Sequence, residues 1–218
     1  MADSRIIKRN VRFWGKSGLQ LTGMMLIFMV VYGFLFNMGS SRVFGDFWKT
    51  AYFYGGIISV LFAMIGPVSY VGSYLPLTLS FGSGRREAVF GAQIFCVVYV
   101  VSAYIILVFA GIMSSGKLNA LIAVLFIFMT AIGQLVSVAQ MHFGMKGMII
   151  GIVMVVLGIV IGIVAGIGFI DQIMAWINRI QTNVVWTLLA IAAIVSIALY
   201  AVSVMALFRE MRHYEVKA

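Results

Sequence analysis

Charge is what this chain has least of. Only 10% of its 218 residues are Asp, Glu, Lys or Arg, and the acidic ones number six: Asp3, Asp46, Glu87, Asp171, Glu210 and Glu215. None of the six falls within an apolar run. Ion- and proton-coupled transporters usually carry ionisable groups inside the membrane. Their absence argues against a self-powered secondary transporter, with sodium sites built from carbonyls and hydroxyls as the one remaining route. Voltage sensing and aspartyl proteolysis within the membrane lack the charges they need. A HExxH zinc motif is missing too. The two histidines, His142 and His213, lie outside the apolar runs, so a Ser–His enzyme has no base there. One cysteine, Cys96, excludes an internal disulfide and any cysteine-based metal cluster. Within an apolar helix it acts as a small packing residue. These absences leave the chain without catalytic, metal-binding or cofactor-binding residues, so any energy for moving a solute comes from elsewhere.

Apolar residues are abundant instead. They make up 63% of the chain, and mean hydropathy is +1.12. Runs of this kind read as membrane spans, and almost nothing remains for a water-soluble domain. The expected fold is all-α: a polytopic membrane protein with six helices, at about residues 21–36, 51–79, 88–113, 118–141, 148–170 and 184–208. Residues 1–19 are polar and basic. Arg5, Lys8, Arg9, Arg12 and Lys16 recur every three or four residues, while Ile7, Val11 and Trp14 share another face. That pattern predicts an amphipathic helix in the interface plane, bound to membrane lipids. Gly15-Lys16-Ser17 looks like the end of a phosphate-binding loop, but Asn10 stands where the leading glycine belongs and no strand precedes it. Residues 37–50 are expected as a loop whose Phe44, Phe47 and Trp48 suit an interfacial belt. Residues 209–218 form a charged tail.

The stretch 77–93 organises the rest. Gly82, Ser83 and Gly84 break the incoming helix, then Arg85, Arg86 and Glu87 open the next. Gly84 caps that helix, with Glu87 at its third position. Two cations in a first turn oppose the helix dipole, so anionic lipid head groups or an acidic groove on a partner should compensate for them. Elsewhere the polar residues are sparse. Pro67 and Pro76 flank Ser69, Tyr70, Ser73 and Tyr74; Thr130, Gln134 and Ser137 share one face of the fourth span. Each set is either interhelical glue or the wall of a cavity. Gly158, Gly162 and Gly166 repeat every four residues, a face for close helix packing against an internal helix or a second subunit.

Six spans put both termini on one side. That side holds Arg5, Lys8, Arg9, Arg12, Lys16, Arg85, Arg86, Lys146, Arg209, Arg212 and Lys217; the other holds Arg42, Lys49, Lys117 and Arg179. The positive-inside rule makes the termini and the 81–87 turn cytoplasmic, in a bacterial cell membrane. The net charge of +9 therefore reports topology rather than nucleic-acid binding.

With a basic opening helix, six spans, the turn Leu79-Ser80-Phe81-Gly82-Ser83-Gly84-Arg85-Arg86 and a basic tail, the chain resembles the small ABC-2-type permease subunits of Gram-positive ABC transporters. The resemblance implies an exporter subunit working as a homo- or heterodimer. It implies a separate soluble ATPase that carries ATP and magnesium and docks on residues 81–90. It also implies an interface helix at 1–19 and a short helical insertion at 171–183. Two other classes stay open: a substrate-capture subunit for vitamin uptake, and a non-transporting assembly or immunity partner.

Overall fold

The computed structural model describes residues 4–35, 43–70, 74–80, 84–110, 116–144 and 182–213, with eight further positions between 146 and 157. Six helices are defined there: α1 (Ser4–Leu35), α2 (Val43–Ser69), α3 (Leu75–Ser80), α4 (Arg85–Ala110), α5 (Gly116–Phe143) and α6 (Thr182–His213). Among the described residues there is no strand, and five helices are long and apolar enough to cross a membrane. The expected fifth span at 148–170 and the insertion at 171–183 lie largely outside the described residues. Gly158, Gly162, Gly166, Ser73, Gly82 and Ser83 lie wholly outside them.

Local chemistry sets the helix ends. The Gly84 N–H is held by Glu87 Oε2 at 3.1 Å and the Ala88 N–H by Gly84 O at 3.0 Å, so α4 begins with its free amides satisfied. Gly144, at φ 61°, closes α5 by returning its N–H to Gln140 O at 2.8 Å, a left-handed position that costs glycine nothing. Pro67 is tolerated inside α2, which stops at Ser69. Two boundaries differ from expectation. Residues 43–50 are the opening turns of α2 rather than loop, because Val43-Phe44-Gly45-Asp46-Phe47-Trp48 contains no proline and only one glycine to break a helix. Residues 4–19 run straight into the first span as one helix of about 48 Å. Gly18 does not break it, because that glycine serves close packing: a Cβ there would press on Phe95 O of α4 at 2.9 Å.

Contacts at near-constant sequence offsets give each helix its direction. Trp14–Gly91, Gly18–Phe95 and Thr22–Ser102 make α1 and α4 parallel. Gly33–Phe47, Gly55–Met29 and Trp14–Tyr70 make α1 and α2 antiparallel. Tyr52–Asn119 and Met64–Gly133 make α2 and α5 parallel. Gln134–Ser203 and His142–Glu210 do the same for α5 and α6. Thus α1 and α4 rise from one end, here the lower one, and α2, α5 and α6 descend to it. Consecutive in order, α5 and α6 nevertheless run the same way.

Two apolar clusters fill the bundle. Near the lower end Trp14, Tyr70, Leu75, Val89, Phe95, Leu207 and Met211 pack together. In the upper half Met25, Met29, Tyr52, Tyr99, Leu107, Ile122 and Phe126 do so. Small residues allow the approach, as is usual between membrane helices. A Cβ on Gly133 would collide with the Met64 carbonyl of α2, and one on Gly91 with the Trp14 indole.

Candidate functional site

The first turns of α4 are a junction. Arg85 donates from Nη1 to Arg212 O of α6 at 2.7 Å. One turn on, the Tyr70 hydroxyl at the end of α2 donates to Ala88 O at 2.5 Å. Trp14 of α1 lies on Gly91, with its ring 4.5 Å from Tyr70 and 5.7 Å from Tyr74. The stretch Arg85–Gly91 therefore touches α1, α2 and α6 at once. The Arg85 contact also answers the sequence puzzle of a cation at a helix N-terminus. Its guanidinium reaches the carbonyl end of α6, where positive charge and hydrogen-bond donors are favoured. The partner is in this chain, not a lipid or a second protein. Arg86, beside it, is exposed.

Exposed cations ring this junction: Arg12, Lys16, Arg86, Lys146, Arg209 and Arg212. Arg5, Lys8 and Arg9 belong to the opening turns of α1. Trp14 is not on a lipid-facing surface as the amphipathic pattern suggests; it is buried, while Val11 and Phe13 are about half exposed. A pattern of basic and apolar faces does not tell lipid from protein. Gly91, which receives the indole, lies far along the chain. His142 closes the lower end of α5 by pairing with Glu210 of α6 at 2.5 Å.

A second polar site sits about two turns further into α4. The Gln134 Nε2 donates to Gln93 Oε1 at 3.0 Å, and the Tyr200 hydroxyl donates to the same oxygen at 2.5 Å. Ser203 Oγ donates to Gln134 Oε1 at 2.8 Å. Three helices thus share one hydrogen-bonded set between α4, α5 and α6. Gln93 Nε2 is buried with no hydrogen-bond partner, a state that typically costs about 1–3 kcal/mol. Above this set lies a cavity of about 240 Å³ lined by Cys96, Val97, Val100, Val101, Ile127, Thr130, Ile197 and Tyr200.

The polar residues singled out from the sequence divide. Thr130 lines the cavity, with its hydroxyl donating to Phe126 O at 2.7 Å. Gln134 anchors the network. Ser137 is buried and bonds Gly133 O at 2.7 Å. Ser69 is exposed, and Tyr70 is buried in the lower junction. The span-two set and the span-four set therefore occupy different places. Gln93, Tyr200 and Ser203 were not anticipated. The available signal was one carboxamide in each of two adjacent apolar spans, a pairing that membrane burial favours. Among the described residues no group of His, Cys, Asp or Glu could hold a metal ion. No family model matches the chain, nor does any curated protein or any solved structure.

Proposed function

We propose that this chain is the permease subunit of an ATP-driven transporter, with its energy supplied by a separate soluble ATPase docked at the lower end. The observation that carries the reading is the junction at Arg85–Gly91. A force applied to that turn is felt directly by α1, through Trp14, by α2, through Tyr70, and by α6, through Arg212. An ATPase would act here as a mechanical input that shifts the population between two helix packings. Export is the direction that the resemblance to ABC-2 permeases suggests.

Topology supports a sixth span within this reading. α5 ends at the lower end and α6 begins at the upper one, so the chain between them must make one more crossing. Residues 148–170 are the apolar stretch long enough to make it. The termini then share the cation-rich end, which the positive-inside rule places in the cytoplasm of a bacterial cell. A second permease chain completes the assembly. α6 has the surface to receive it, with only 11% of its most apolar window buried against 50% for α2.

Arg86→Glu is the discriminating variant, because Arg85 also holds α6 and Arg86 is free of that duty. It should abolish co-purification with the ATPase while the variant still purifies as a folded monodisperse species. Undiminished binding by Arg86→Glu, and by the double variant with Arg85→Glu, would remove the docking role.

A further inference from the structure

The cavity between α4, α5 and α6 is placed to receive a molecule from the bilayer. Its outer rim is Val97, Val101 and Ile197, each more than half exposed on the apolar surface of the bundle. Its lining carries no charged residue. The described cations at the start of α4, Arg85 and Arg86, lie about 12 Å along the helix from Gln93. A charged head group at that depth would therefore be without a counter-ion, at high cost. At about 240 Å³ the space falls below the roughly 300–1,000 Å³ of pockets for drug-sized molecules, so it suits one aliphatic chain. Tyr200 lines the cavity and is bonded to the Gln93 carboxamide, whose own Nε2 has no acceptor.

We propose that this cavity binds an uncharged single-chain amphiphile drawn from the bilayer, its apolar chain between Val97, Val101 and Ile197 and its head accepting a hydrogen bond from Gln93 Nε2. The inference goes beyond the permease reading and holds whether or not an ATPase docks at the lower end.

The test uses the full chain in phosphatidylcholine nanodiscs and a monoacylglycerol carrying a mid-chain diazirine, with labelled positions mapped by mass spectrometry. Labelling at Val97, Val101 and Ile197 should saturate, and excess unlabelled monoacylglycerol should reduce it about tenfold. Added phosphatidylcholine should not. Gln93→Leu should lose the saturable labelling. Val101→Trp fills the rim from the outside without touching the hydrogen-bonded set, and should lose it too at unchanged thermal stability. Labelling that never saturates and equals that at Ile191 and Ile194 on the outer face of α6 would overturn the proposal. So would equal competition by phosphatidylcholine, or saturable labelling that persists in folded Val101→Trp.

Discussion

Two contacts of α4 show how differently one helix is held on its two sides. Against α1 and α2 it is packed through small residues and large rings: Gly18 on Phe95, Gly91 under Trp14, and Tyr99 reaching Ser59 O at 2.8 Å. Against α6 it meets at separated points, which are Arg85 on the Arg212 carbonyl, Phe90 on Phe208, and Gln93 on Tyr200. Between the last of these and the upper end lies the cavity. In a membrane there is little hydrophobic drive between helices, so close van der Waals packing fixes neighbours and scattered hydrogen bonds add modest amounts. The α1–α2–α4 side is therefore the rigid body, and the α4–α6 seam is where two packings can differ at low cost.

That difference can be broken from the rigid side first. Trp14→Ala should have the largest effect, losing about 3–5 kcal/mol by the usual scale for a buried aromatic, read as a lowered unfolding midpoint in detergent. Gly133→Val should follow, at about 1–3 kcal/mol for overpacking, because the atom it meets is the Met64 backbone carbonyl and cannot rotate away. Gln134→Leu tests the seam. Hydrogen bonds between membrane helices average roughly 0.6 kcal/mol and reach about 1.7, so a drop near 1 kcal/mol is expected. A loss as large as that of Trp14→Ala would erase the distinction between the two sides. Smallest should be Glu210→Gln, which breaks the exposed pair with His142. Such pairs contribute about 0–1 kcal/mol, and the same thermal melt should barely move.

How much of this was legible in the sequence depends on the kind of interaction. Spans one, three, four and six follow from hydropathy, since long apolar runs have no alternative in water. The α4 start was legible because Gly84 and Glu87 form a cap by local rules, and those rules act within one turn. Trp14 was not, because its burial is decided by Gly91, which no local pattern connects to it. The Gln93 network was missed for a related reason. A lone carboxamide in an apolar helix has no periodicity, and its partners Gln134 and Tyr200 come from two other helices. The start of α2 at Val43 was hidden by aromatic residues that suit an interfacial loop equally well. The parallel run of α5 and α6 depends on pairs such as His142 with Glu210, which only the assembled bundle brings together.

The central claim is that the lower junction receives an ATPase. The most direct measurement is to purify the tagged chain in mild detergent from the cells that naturally make it, and to identify by mass spectrometry what accompanies it. The account predicts a soluble ATPase in stoichiometric amount, absent when Arg86 is replaced by Glu. A chain that arrives alone, or with membrane proteins only, would contradict it and would leave the cations around α4 as anchors for lipid head groups.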